Sequence, residues 1–336
     1  MLFLTGSLPK AKFFVVSCAS VALFLPYGLA QEAPTTPTGA PQALSPQPPA
    51  PGAQTPAEPY DRAIFQKTIP GDQLWFLKQF DGQPSYDLFR DKQFRKLMKS
   101  FVPDCMYHYG SDMPLDFALE KVFTNSNDPV LIRDGRYVVL SGEKGPYLGG
   151  RAFLWIDMQE GIGLGGFYFH PTNGEPTPAL TVFSRQVREK ILTLSQLPPA
   201  FEDDMIQWAT AARVPPIATR YFIGGINKRI LLAHDEDYCR PVVGYPPPPH
   251  DVCEQMTADA ADLDVTAAYY LDQIHNATNG TAWMIGADQT AWIQMRDNTC
   301  RVGPDPLGCR IRVSRERTSV IIHGGGSGPV SHPPHR

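Results

Sequence analysis

Net charge is nearly absent from this chain. Its 336 residues hold 30 Lys and Arg against 34 Asp and Glu, a balance of −4, and only 19% of residues are charged. The chain therefore carries no footprint for a nucleic-acid backbone. Catalytic signatures are missing too: there is no G-x-S-x-G, no H-E-x-x-H and no paired C-x-x-C. The stretch GIGLGG at 161–166 matches G-x-G-x-x-G in letters only, because FYFHP comes directly after it. A pyrophosphate site needs a helix at that point, not a strand broken by Pro171. Glycines between strands, or where a neighbouring backbone comes close, are the better reading.

What is present is unevenly spread. Lys10 and Lys12 precede the 18-residue apolar stretch FFVVSCASVALFLPYGLA, and Gly28 and Ala30 stand at −3 and −1 of a cut before Gln31. Residues 1–30 thus read as an export signal, and the expected location is periplasmic or secreted. VVSC at 15–18 makes lipid attachment at Cys18 the weaker alternative, since an apolar run rather than a polar tether comes after it. Residues 31–59 carry nine prolines and only two charges, Glu32 and Glu58, as an extended tether does. The tail at 323–336 reads likewise, and PVVGYPPPPHD at 241–251 marks a boundary between folded parts.

Cysteine is sparse. Beyond Cys18 there are five: Cys105, Cys239, Cys253, Cys300 and Cys309. Export to an oxidising compartment predicts disulfides, and five cysteines leave one unpaired. Local spacing favours Cys300–Cys309, while Cys239–Cys253 and Cys105–Cys239 compete for a second bridge.

Residues 60–240 predict an α+β domain with helices on a mostly antiparallel sheet. SYDLFRDKQFRKLMKSF at 85–101 has helical spacing with Ser85 as N-cap, and a second helix starts at Pro114 and runs through Val122. Asp134-Gly135 between β-rich runs signals a hairpin. GRAFLWIDM, GIGLGGFYFH and ALTVFSRQV read as strands, FEDDMIQWATAA at 201–212 as a helix, and ATRYFIGGINKRILLAHD as a closing hairpin. HPTNGEPTP at 170–178 sets His170 and Glu175 on one stiff loop, a weak alternative site for hydrolase-type acid–base chemistry. Turn chemistry accounts for the loop more simply. HDED at 234–237 offers metal-type ligands, but charges ending a strand are usually solvated. No metal or cofactor is expected.

Residues 251–322 predict a three-helix unit. Met256, Ala260, Leu263, Ala267, Tyr270, Leu271 and Ile274 step by three or four along one helix from Cys253 to Thr278. Glu254, Asp262 and Asp272 lie away from that stripe and form an acidic outer face. Two further helices should run from about Ala287 to Thr299 and from Leu307 to about Ile322. The region holds ten acids and six arginines, acidic at its start and basic near its end. Gln289, Trp292 and Arg296 share a helical face, so Trp292 can pack on the long helix while Arg296 and Asp297 engage neighbours.

The pattern Q-x-x-W-x-x-x-R-D-x-x-C, here Gln289, Trp292, Arg296, Asp297 and Cys300, resembles the hallmark of LprI-type lysozyme inhibitor N-terminal domains. Cys309 and the stretch with Arg315 and Arg317 match a further cysteine and an arginine-rich helix of that family. Asp262, Val265, Thr266 and Tyr269 fall where the family has D-x-x-L-N-x-x-Y, with Thr in place of Asn. The first family helix carries a second cysteine that Cys253 lacks here, and the resemblance makes Cys239 the substitute partner. About 70 residues are covered. The resemblance implies a non-enzymatic, exported protein that binds lysozyme or a related cell-wall glycosidase. Its acidic helix would meet a basic partner, with Glu254, Asp259, Asp262 and Asp272 as contact candidates. An envelope enzyme, or another envelope protein-binding module, is the alternative.

Overall fold

A computed structural model describes residues 60–144, 149–170, 178–234, 236, 238–239, 248–276 and 282–323. The chain first forms α1 (Ser85–Arg90) and α2 (Lys92–Phe101), then a small ribbon of β1 (Met106–His108) and β2 (Asp112–Pro114), then α3 (Leu115–Phe123). Ser85 is not an N-cap. Pro84 occupies that position, and the Ser85 hydroxyl donates instead to the Asp128 carbonyl at 2.8 Å. The run at 85–101 also breaks at Asp91, whose carboxylate accepts from the Phe94 N–H at 2.8 Å and starts α2 afresh. A good cap inside a periodic stretch outweighs its continuity. Pro114 likewise precedes α3 rather than opening it.

The strands come next: β3 (Leu131–Arg133), β4 (Tyr137–Glu143), β5 (Arg151–Asp157), β6 (Ile162–Tyr168), β7 (Ala179–Ser184) and the short β8 (Leu192–Thr193). Then come α4 (Pro199–Ala211), β9 (Thr219–Gly224) and β10 (Arg229–Ala233). Among the described residues they make one sheet in the order β3-β4-β5-β6-β7-β9-β10-β8. Its pairs are antiparallel except β7 with β9 and β10 with β8. The β3–β4 hairpin turns at Asp134 and Gly135, whose φ values of 55° and 62° give the double positive sign that an I′ turn requires.

Both faces of the sheet are covered. Leu154, Ile156, Phe167 and Phe183 point to α1–α3, while Phe153, Trp155, Leu164, Val182 and Phe222 point to α4. Every residue of β6, β7 and β9 is consequently buried, which explains why these strands read as continuous apolar runs rather than alternating ones. The GIGLGG glycines serve this packing. Gly161 turns at φ +68° with the Ile69 carbonyl where a Cβ would stand, and Gly163 gives its space to the Phe101 ring.

The last part is α5 (His250–Asn276), α6 (Ala282–Arg301) and α7 (Pro306–Ile322). The buried side of α5 is broader than the predicted stripe. Ala258, Ala261, Val265 and Ala268 are buried beside Ala260, Ala267 and Leu271, whereas Ile274 is exposed. The physical reason is double coverage: α5 packs on α7 and also on the sheet. Val265, Ala268 and Leu271 share a core with Ala179, Tyr221 and Leu231 of β7, β9 and β10, and with Trp292 and Ile321. Small alanines let the helix lie close to both. No helix among the described residues is long and apolar enough to cross a membrane.

Candidate functional site

The residues of the C-terminal pattern converge. Trp292 of α6 is buried, and the guanidinium carbons of Arg296 and Arg317 stand 5.2 and 5.7 Å from its ring centroid. Cations over an indole face are attracted by its quadrupole. Arg317 reaches from α7 to Asp288 and to Gln289 Oε1, so Gln289 belongs to the same cluster. Arg296 donates from Nε and Nη2 to Asp297 Oδ1 at 2.9 and 2.8 Å, and from Nη1 to Asp262 Oδ1 at 2.7 Å.

Asp262 is the hub. Besides Arg296 it accepts from Arg310 Nε at 2.7 Å and from the Ser314 hydroxyl at 2.6 Å, joining all three helices through one carboxylate. Arg310 continues to Asp259 at 2.7 Å, where Gln255 also donates. Burial works against the Arg310 charge, yet Asp262 and then Asp259 outweigh it and hold its pKa above the ordinary arginine value. Charge-assisted, multidentate bonds of this type are strong and geometrically selective.

Two disulfides brace the same helices. Cys300–Cys309 ties the end of α6 to the start of α7 with 5.4 Å between Cα atoms, and Cys239–Cys253 ties α5 to the chain after β10 at 5.0 Å. Cys105 is the free thiol among the described residues; burial pushes its pKa up to about 11, which keeps it protonated and unreactive at neutral pH.

The four acids expected as partner contacts are not one surface. Asp259 and Asp262 come together around Arg310 and Arg296. Glu254 lies at the start of α5, 3.5 Å from the His250 ring, and Asp272 lies about 27 Å further along the helix by its rise per residue. Outward-facing negative charge on the first half of α5 is therefore carried by Asp251, Glu254 and the partly exposed Asp259.

A second charged cluster was hidden in HDED. His234 is buried rather than solvated, with Nε2 3.3 Å from Asp264 of α5 and Nδ1 3.8 Å from Glu236. Asp235 and Asp237 lie outside the described residues. Glu236 also pairs with the deeply buried Arg220 of β9, and its backbone carbonyl accepts from Arg315 at 3.2 Å. Burial opposes both charges of the Arg220–Glu236 pair, but mutual attraction wins, lowering the Glu236 pKa and raising that of Arg220. Nearby Glu202 of α4 has its pKa raised, first by burial and then by Glu236. These groups bind the sheet to α5 and α7; Arg220 at an inward strand position was the sequence signal for them.

Of the alternative loop, His170 alone of the candidate pair is among the described residues. His170 Nε2 lies 3.0 Å from the Tyr168 hydroxyl, and Glu175 falls outside the described residues. No group of three His, Cys, Asp or Glu among the described residues is placed to hold a metal ion. Comparison with family models, curated proteins and solved structures gave no match for this chain. Ion pairs centred on Asp262 join α5, α6 and α7, and Asp251, Glu254 and Asp259 lie on the outer side of α5.

Proposed function

We propose that this is an exported, non-enzymatic protein-binding module of the LprI lysozyme-inhibitor type, whose partner is lysozyme or a related cell-wall glycosidase. The observation that carries this reading is the behaviour of the pattern residues as one unit. Gln289, Trp292, Arg296, Asp297, Cys300, Cys309 and Arg317 fall in one connected part of the fold, together with Asp262 of α5. Disulfides suit an exported protein, because they persist in oxidising compartments.

In this reading Asp262 shapes the module and is not itself the contact. The contact is the outer side of the first half of α5, where Asp251, Glu254 and Asp259 span about 12 Å of helix. Common lysozymes are strongly basic, so such an edge steers encounter and makes the on-rate fall with ionic strength. A turbidity assay of peptidoglycan lysis by a basic lysozyme tests this. Lysis should slow when the protein is added, and the Asp251→Asn, Glu254→Gln pair should weaken the effect about threefold without shifting the melting temperature. Undiminished lysis at a clear molar excess rejects the proposal.

A further inference from the structure

A cleft opens where the edge of the sheet meets the ends of α5 and α7. It measures about 120 Å³. Leu231 of β10, Leu271 of α5 and Ile321 of α7 make its apolar wall, and Lys190, Lys228 and Asp272 stand at it as well. Lys190 precedes β8 and Lys228 sits in the β9–β10 turn; both are exposed.

We infer that this cleft is a binding site for a small amphiphilic carboxylate, with its apolar end against Leu231, Leu271 and Ile321 and its carboxylate between Lys190 and Lys228. Size supports the apolar half: a cavity of about 150 Å³ lined by aliphatic side chains takes a benzene-sized guest. Charge supports the other half. Lys190 and Lys228 line the cleft with one acid, Asp272, so its ionisable residues carry a formal charge of +1. Sites for small ligands combine apolar walls with a few polar groups, and this cleft has both. A lipid surface fits less well, because most of the apolar wall is recessed. Leu231, Leu271 and Ile321 are only 4%, 7% and 8% exposed, and Ile191, at 41%, is a single protruding apolar side chain where insertion into a bilayer needs an apolar face.

The site does not rest on the glycosidase reading, since it lies at the far end of α5 from Glu254. The test is titration of the full mature chain with hexanoate, hexanol and hexylamine, read by calorimetry. Hexanoate should bind most tightly, and each methylene from butanoate to hexanoate should add about fourfold. The pair Lys190→Glu and Lys228→Glu changes exposed side chains only. It should weaken hexanoate about tenfold, strengthen hexylamine and leave thermal melting unchanged. Hexanol binding as tightly as hexanoate, or an unchanged hexanoate affinity in the Lys variant, overturns the proposal. So does binding to phosphatidylglycerol vesicles that hexanoate fails to compete away, which would assign the cleft to a membrane surface instead.

Discussion

Trp155 in the sheet and Trp292 in the helical unit are both buried, but in opposite company. Trp155 stacks on Tyr137 at 5.2 Å, meets the edge of Phe201, and donates its N–H to Asp204 at 2.9 Å. Trp292 instead has two guanidinium groups against its ring, each held by aspartate. The sheet is thick enough to bury hydrocarbon on both faces. The three helices have only the side of the sheet to share, so they supplement a thin apolar core with ion pairs and disulfides. Small units commonly need such supplements.

The largest effect should come from breaking the hydrocarbon side. Trp155→Ala removes an indole packed between the sheet and α4 and leaves Asp204 with Arg133 but without its indole donor, costing about 3–5 kcal/mol. Denaturant unfolding should show the stability of the whole sheet fall by that amount. A loss under about 1 kcal/mol would mean that α4 collapses onto the gap, and the contrast between a hydrocarbon core and an ion-paired one would fail.

Next is Asp262→Ala. It leaves Arg296, Arg310 and Ser314 without their common acceptor, and breaking a largely buried ion pair from one side is strongly destabilising. About 3 kcal/mol is expected, somewhat below the fully buried case because Arg310 retains Asp259 and some water. Hydrogen exchange should locate the loss in α5–α7 and leave β4–β7 protected. Uniform loss across the sheet would show that the ion-pair core supports the whole chain.

The Cys300–Cys309 bridge ranks third. Replacing both cysteines by Ser should cost about 2–3 kcal/mol, the loop-closure value for a short segment. The double variant should melt earlier in α6 and α7, as read by helical circular dichroism, with the sheet transition unmoved. A single merged transition would contradict the separate character of the two cores.

Much of the sheet was legible because its signals are local. Asp134-Gly135 encodes its turn within two residues, and the strand character of GIGLGG comes from the residues beside it. The helix split at Asp91 was less legible, since a cap and a helical period compete over the same stretch. The charge networks were scarcely legible at all. Asp262 looks like one more acid on an outer face until Arg296 and Arg310 return to it from 34 and 48 positions later. His234 looks solvated until α5 covers it with Asp264. Spacing shows which side of a helix a residue occupies, but not what later packs there. The Cys239–Cys253 pairing had the same character: it was one of two alternatives by spacing, and it is the bridge the fold makes.

The smallest expected effect tests the junction between the two cores. Glu202 has its pKa raised above 4.5 by burial and then by Glu236, so the folded state holds the Glu202 proton more tightly than the unfolded state. Its contribution to stability is therefore full below pH 4.5 and is lost as pH rises through the folded value. At neutral pH an ionised Glu202 is a cost, and Glu202→Gln should stabilise the protein by up to about 1 kcal/mol, a gain that fades as the carboxyl is protonated. Glu236 has the opposite sign. Its pKa is lowered against the opposing pull of burial because Arg220 outweighs it, so its contribution is present above 4.5 and lost as pH falls through the folded value. Glu236→Gln should then destabilise at neutral pH and flatten the acid limb of the stability curve. Thermal melts of both variants between about pH 3 and pH 8 give the two slopes directly. If Glu202→Gln lowers the melting temperature at neutral pH, Glu202 serves Arg220 as a second counter-charge, and the sheet meets the helices through a three-membered ion cluster rather than a single pair.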